Sequence, residues 1–167
     1  MDRVAAGILA VVALAAASNS RALTSVGNFG VSTTLLRTCS VTATALNFGN
    51  YIAGAGALTV NSTVNIRCTR STAFTVALNR GTTVGGTISQ RLLTNGTSTL
   101  QYNLFRTAAA ITVFGDGTAG SRTRSGVASG LASTVRFTVF GNLPDSASNR
   151  VATPGGYTDT VGVTVTY

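Results

Sequence analysis

The sequence predicts an all-β protein, an antiparallel β-sandwich, from three observations. Apolar and polar residues alternate along several short stretches, which is typical of half-buried strands. Glycine-rich and asparagine-glycine turns separate these stretches. No convincing helical period follows residue 22. Many short alternating strands joined by such turns favour two packed antiparallel sheets.

The clearest predicted strand runs from Leu58 to Cys68, where apolar side chains occupy nearly every second position. Residues 117–134 are rich in Gly, Ser, Thr and Arg, and are expected to form a mobile loop. The further predicted strands cover residues 74–78, 100–104, 135–139 and 157–167, with turns at 79–81, 85–86, 95–96, 115–117 and 154–156.

The first 22 residues are expected to be a secretory signal peptide. A short charged start precedes an unbroken run of apolar and small residues from Val4 to Ala17. This run is shorter than the roughly 20 residues that a membrane span needs, and fits the apolar region of a signal peptide. Small-x-small cleavage sites occur at 15–17 and 20–22, and the second is preferred. The alternative is a buried apolar helix.

The two cysteines are predicted to form a disulfide. An even number of cysteines in an exported chain indicates pairing, and Cys39 with Cys68 is the one combination available. Closing this loop restricts the unfolded chain by about 3–4 kcal/mol. Because Cys68 lies on the apolar face of its strand, the bond should join the first strand to the second at the edge of the core.

The charged residues argue against an enzyme. The chain carries a net charge of +8, and it has no His, Lys or Glu. No His-based triad, His-ligated metal site or Glu general base can therefore be built, so we expect no catalytic residue, metal, cofactor or small-molecule substrate. The twelve Arg residues are spread singly, which favours solvated strand faces over a nucleic-acid site. The Gly115–Gly117 motif favours a tight turn over a calcium loop.

The two ends of the predicted domain carry opposite irregularities. Before Cys39, the residues Phe29, Val31, Thr33 and Leu35 share one face of an additional alternating stretch. At the other end, the last predicted strand finishes at Tyr167 with nothing after it to pair with. A surplus strand and a missing one favour strand exchange between molecules, because unpaired strand edges are costly. The alternative makes 29–35 an ordinary first strand of the chain's own sheet.

Seven segments spread over the predicted domain form a set of short motifs: Cys39-Ser40-Val41, Leu46-Asn47-Phe48-Gly49-Asn50-Tyr51, Cys68, Tyr102-Asn103-Leu104-Phe105, Phe114-Gly115-Asp116-Gly117, Val139-Phe140-Gly141-Asn142-Leu143-Pro144 and the segment 156–167. Together these motifs resemble the spore coat protein U domain family, the Csu-type archaic chaperone–usher pilus subunits. The family usually has Trp where Phe114 stands, and Phe should keep the aromatic packing role.

The resemblance implies an incomplete immunoglobulin-like sandwich over residues 37–167 that lacks its final strand. A periplasmic chaperone would fill the groove first, and at the outer-membrane usher the next subunit's N-terminal extension, residues 23–36, would replace the chaperone strand. The inserted residues would be Phe29, Val31, Thr33 and Leu35. The acceptor groove and chaperone-contacting strand would comprise Val161, Val163, Val165 and Tyr167.

The predicted function is that of a structural subunit of a surface fimbria, pilus or coat, exported through the periplasm and supporting adhesion and biofilm formation. Its partners would be identical or related subunits, the chaperone and the usher, and no nucleic acid. The alternative is a self-contained secreted binding module with a basic face for acidic glycans.

Overall fold

The computed structural model describes residues 21–167, so nearly all of the predicted signal peptide lies outside the described residues. The chain divides into two units at Thr34. In the first unit, residues 21–34 have no regular secondary structure and every side chain is exposed. The exposed side chains include the large apolar residues Leu23, Val26, Phe29 and Val31.

The regular secondary structure of the second unit, residues 35–167, consists of strands with one exception, as the alternation predicts. One short helix, α1, follows the seventh strand, and the side chain of Ser146 caps it by accepting from the Asn149 N–H. The elements are β1 (Cys39–Ala43), β2 (Leu58–Cys68), β3 (Ala73–Leu78), β4 (Arg91–Thr94), β5 (Thr99–Phe105), β6 (Arg124–Val127), β7 (Val135–Leu143), α1 (Ala147–Arg150) and β8 (Val163–Thr166).

These strands form two antiparallel sheets, which confirms the predicted all-β sandwich. The larger sheet has the order β1-β2-β7-β5-β4, and the smaller has the order β6-β3-β8. Alternate residues of β2 point into the core, where Val64 and Ile66 are buried, while the residues between them are more exposed. The core also includes Phe74, Val76, Leu78, Leu100, Tyr102, Leu104, Phe114, Val139 and Leu143.

The predicted disulfide between Cys39 and Cys68 is confirmed. The two residues lie directly opposite each other in the β1–β2 pair, with a Cα–Cα distance of 4.0 Å. Cys68 is fully buried, so the bond fastens the edge strand β1 to the core. No free cysteine remains.

The prediction that residues 117–134 form a mobile loop is wrong in its central part. Residues 124–127 form β6, which pairs with β3 over four residues. The sequence Arg-Ser-Gly-Val lacks apolar alternation, so pattern alone does not indicate a strand. Gly126 is needed there because a side chain would meet the Phe74 ring, 2.9 Å from its Cζ atom.

The last strand is shorter than predicted, because β8 begins at Val163 and residue 157 does not yet belong to it. Thr158 exchanges two backbone hydrogen bonds of 2.9 Å with Thr94 on the larger sheet. Gly162 then joins the smaller sheet, where its carbonyl accepts from the Asn79 N–H at 3.0 Å. The segment 157–162 therefore crosses from one sheet to the other before regular pairing begins.

Arg91 is fully buried, a position that the sequence pattern did not predict. Its guanidinium donates to the Asn79 carbonyl at 2.9 Å, the Asn103 side chain at 2.6 Å and the Phe114 carbonyl at 3.0 Å. Burial lowers the pKa of Arg91. The planar guanidinium can satisfy several fixed acceptors at once, which explains why a cation is tolerated inside the sandwich.

Candidate functional site: an open sheet edge beside an apolar cleft

The candidate site is centred on β8, which pairs on one side with β3. Within the part of the chain that the structure describes, no strand pairs with the opposite side of β8. Natural proteins usually protect such an edge, because its free N–H and C=O groups attract other strands. Here the edge lies next to partly buried apolar side chains of the core.

The hydrogen bonding of β8 shows which residues direct their backbone groups to the open side. Asn79 and Gly162 are joined by a backbone hydrogen bond, and antiparallel pairs alternate between bonded and non-bonded types. The next residue along, Val163, therefore faces Leu78 in a non-bonded pair. Consistently, the Leu78 N–H donates elsewhere, to the Gly115 carbonyl at 3.2 Å. By the same alternation, Val163 and Val165 direct their N–H and C=O groups to the open side.

The other side of the site is the edge strand β1. Cys39, Val41 and Ala43 lie on the strand face that carries the disulfide, and this face points towards the core. Val41 is nevertheless 38% exposed, and Ala43 is also exposed. Within residues 21–167, the inward face of β1 is therefore only partly covered.

A cavity of about 310 Å³ lies between the end of β1 and the start of β8. It leads onto a larger cleft of about 800 Å³ that follows residues 152–157. Both are bounded by Leu46, Phe48, Leu93 and Asp159. The apolar lining of the smaller cavity comprises Leu46, Phe48, Val64, Leu78, Leu93, Tyr102, Leu104, Val139, Val161 and Val163.

The structure brings part of the predicted acceptor set together. Val161 and Val163 line the 310 Å³ cavity, and Val165 packs against the core from the same strand face. Tyr167 is 52% exposed.

Asp159 fixes the entry to β8, a role that the sequence did not assign to it. Its Oδ2 accepts from the Tyr102 hydroxyl at 2.6 Å, and its Oδ1 accepts from the N–H groups of Thr82 and Thr83 at 2.8 and 3.0 Å. Burial acts to raise the pKa of Asp159, but these hydrogen bonds outweigh it and hold the pKa below its ordinary value. Burial, followed by the hydrogen bond to Asp159, raises the pKa of Tyr102.

The predicted donor residues are exposed, whereas the predicted acceptor valines are partly buried. Phe29, Val31 and Leu35 are 87%, 84% and 85% exposed, and Thr33 is also exposed. Residues 29–35 form no strand. The structure therefore leaves all four predicted donor side chains without a covering partner among residues 21–167.

A comparison with protein families agrees with this architecture. The model of the Spore Coat Protein U domain matches residues 25–164, which is most of the chain. The chain belongs to this family. The resemblance predicted from sequence motifs is therefore confirmed. No curated protein matches the chain.

Among solved structures, this Spore Coat Protein U domain is similar to a chain in the crystal structure of the CsuC–CsuE chaperone–tip adhesion subunit pre-assembly complex from archaic chaperone–usher Csu pili of Acinetobacter baumannii. The TM-score is 0.57 and the sequence identity is 24%. The match covers 80% of this chain and 41% of that chain. The likeness shows a common fold, and this chain spans less than half of its neighbour's length.

Two sequence motifs of the Spore Coat Protein U domain, residues 46–51 and residues 139–144, pack against each other at the cleft. Gly141 lies on the inward face of β7, where Leu46 and Phe48 occupy the space that a side chain would need. Beyond them, the Tyr51 hydroxyl donates to Asp145 at 2.5 Å, and Arg150 forms two hydrogen bonds of 3.0 Å with the same carboxylate. The hydrogen bonds from Arg150 and Tyr51 hold the pKa of Asp145 far below its usual value. These contacts anchor the cleft wall.

Residues 21–167 hold neither a metal-binding cluster nor a membrane-spanning helix. Within this range, no three metal-ligating side chains cluster together. No helix in the same range is long and apolar enough to cross a membrane.

Proposed function

We propose that this protein is a structural subunit of a surface fibre assembled by the chaperone–usher route through donor-strand exchange. Residues 23–36 of one copy would add a strand to the open edge of β8 in the next copy. The observation that carries the proposal is the unpaired β8 edge beside an apolar cleft, in a chain that also exposes an apolar alternating segment. Adding a strand to an open sheet edge is an established mode of peptide recognition.

The donor and acceptor sets match in length and spacing. Phe29, Val31, Thr33 and Leu35 occupy alternate positions over seven residues, and so do the acceptor residues of segment 161–167. Seven residues of strand span about 20 Å. A donor strand beside β8 would therefore place one side chain over each alternate position of the acceptor.

Burial of the donor side chains supplies most of the driving force. Phe29, Val31 and Leu35 are almost fully exposed, and covering each stabilises the complex by about 1.5–3 kcal/mol, or roughly 5–9 kcal/mol in all before ordering costs. Each main-chain hydrogen bond to the free edge adds about 0.5–1.5 kcal/mol. Together these terms make a lasting intermolecular contact feasible.

The proposed partners follow from the same incomplete edge. Before assembly, a periplasmic chaperone would cover the cleft, and an outer-membrane usher would exchange the chaperone strand for the donor segment of another subunit. The protein would then reside in a fimbrium or coat at the cell surface, where it supports adhesion and biofilm formation. The similarity to a chain of a chaperone–subunit complex supports the proposal of a chaperone partner.

Fusion and deletion variants test strand exchange directly. One variant lacks residues 23–36, and a second carries the same deletion with residues 23–36 attached through a flexible linker after Tyr167. We expect the intact mature protein to form SDS-resistant oligomers. We expect the fused variant to be a monomer with a higher melting temperature than the deletion variant, because it supplies its own donor strand.

A control fusion carries Phe29→Asp and Val31→Asp in the attached segment, which places charges on the donor face. It should lose the gain in melting temperature. The proposal fails if the deletion variant is as stable as the fused variant and the intact protein remains monomeric, since the sandwich would then need no external strand.

A further inference from the structure

A second surface feature lies on the solvent-facing side of the larger sheet. Arg67 of β2 and Arg136 of β7 flank a shallow depression of about 340 Å³. The remaining lining residues all carry hydroxyl or amide groups: Ser40, Thr42, Asn65 and Thr134. We call these six residues the arginine cluster.

Strand pairing fixes the geometry of the arginine cluster. Ser40 lies opposite Arg67, Thr42 lies opposite Asn65, and Asn65 lies opposite Arg136. Arg67 and Arg136 are therefore diagonal neighbours on adjacent strands, a placement in which long side chains can reach a common point. The sheet holds this arrangement on a rigid surface.

Each arginine is oriented by its Nε atom alone. Arg67 Nε donates to Thr134 Oγ1 at 2.8 Å, and Arg136 Nε donates to Asn65 Oδ1 at 3.1 Å. The terminal nitrogens of both guanidinium groups make no hydrogen bond within residues 21–167. They remain available as paired donors, the geometry that matches sulfate, phosphate and carboxylate groups.

No carboxylate of the described chain neutralises the arginine cluster. Asp116 accepts from Thr118, Asp145 is paired with Arg150, and Asp159 is held by Tyr102. Within residues 21–167, the ion pair of Arg150 with Asp145 is the only one. Among residues 21–167, no acidic side chain therefore compensates the positive charge of the cluster.

We propose that the arginine cluster is a binding site for an anionic polysaccharide, recognised through its sulfate, phosphate or carboxylate groups. The hydroxyl and amide side chains around the arginines are suited to hydrogen bonding with sugar hydroxyls. No aromatic side chain lines the depression, so it lacks the stacking platform typical of single-stranded nucleic-acid sites. The site uses one molecule's surface and does not depend on strand exchange.

The test measures binding of the mature, disulfide-bonded protein to immobilised dextran sulfate, with uncharged dextran as the reference surface. The site variant is Arg67→Gln with Arg136→Gln. The control is Arg70→Gln with Arg122→Gln, which removes the same charge from exposed arginines outside the cluster. Circular dichroism confirms that each variant is folded.

We expect the site variant to bind dextran sulfate about tenfold more weakly, a difference of about 1.4 kcal/mol. The control should lose less than about twofold. Equal losses in both variants would overturn the proposal, because net charge alone would then explain binding. Binding to uncharged dextran, or tighter binding to single-stranded DNA of equal charge that depends on the same two arginines, would also overturn it.

Discussion

Tyr102 donates a hydrogen bond of 2.6 Å to Asp159, and this contact joins the larger sheet to the segment that enters β8. The same carboxylate accepts from the backbone of Thr82 and Thr83 beyond β3. One side chain thus holds both sheets at the point where the open edge begins. The edge can be exposed without losing its position because its entry is fixed by these polar contacts.

The depressed pKa of Asp159 predicts a loss of stability in acid. Because the folded pKa lies below the unfolded value of about 3.9, the contribution is complete above that pH and disappears as the pH falls through the folded value. We expect Asp159→Asn to lower the unfolding free energy at pH 7 by about 1–3 kcal/mol. In urea unfolding, the free energy of unfolding of Asp159→Asn should decrease less between pH 7 and pH 3 than that of the natural protein. An unchanged pH dependence would contradict this role.

Gly81 should be intolerant of a side chain because it lies against the fixed Asp159 carboxylate. Gly81 has φ +89°, and an added Cβ atom would overlap that carboxylate. Gly96 is the matched control, with φ +93° and open space around it. Alanine at either position carries a left-handed backbone cost of about 1–2 kcal/mol. We expect Gly81→Ala to cost at least about 1 kcal/mol more than Gly96→Ala in urea unfolding. Equal costs would show that the carboxylate moves freely.

Replacement of the buried Arg91 should destabilise the sandwich strongly. Arg91→Met would leave the Asn79 and Phe114 carbonyls without their donor, and it would remove one of the two donors to Asn103 Oδ1. A buried acceptor left unsatisfied costs about 1–3 kcal/mol, so we expect a total loss of at least about 3 kcal/mol. Exposed Arg122→Met serves as the control and should change stability by less than about 0.5 kcal/mol. Similar losses in the two variants, measured by thermal unfolding, would argue against this network.

The strands that the sequence predicts well are those with one buried and one exposed face. β2 matches its predicted bounds because its apolar period is nearly unbroken from Leu58 to Cys68. β6 was missed because its environment depends on the Phe74 ring packing over Gly126, a contact between residues distant in sequence. The sequence pattern within four residues cannot predict a contact of this kind.

The candidate site was only partly accessible from sequence for a related reason. Alternation placed Val161 and Val163 on one face of the last predicted strand, and the family resemblance assigned them to the acceptor groove. The polar contacts that position the same segment are long-range, since Asp159 binds groups at positions 82, 83 and 102. The one indication in the sequence was Asp159 itself, an acidic residue that interrupts an apolar alternating segment. This pattern indicates an irregular position, but it does not identify the residues that Asp159 contacts.

Adjacent residues of β8 provide the sharpest test of the acceptor groove. The Val163 side chain lines the 310 Å³ cavity that opens onto the cleft, whereas the neighbouring Thr164 side chain is exposed on the opposite face. Val163→Asp would place a charge where the proposed donor strand must pack, and burying an unpaired charge is strongly unfavourable. Thr164→Asp adds the same charge to the same strand without entering the cleft.

We expect Val163→Asp to abolish SDS-resistant oligomers and Thr164→Asp to preserve most of them. A mixing experiment then distinguishes the two surfaces of one subunit. A Val163→Asp subunit keeps an intact donor segment, so it should still cap the groove of a natural subunit and shorten its oligomers. If it neither polymerises nor shortens them, the substitution has unfolded the subunit or the donor does not enter this cleft. Circular dichroism separates those outcomes, and a folded but inactive subunit contradicts the proposed exchange.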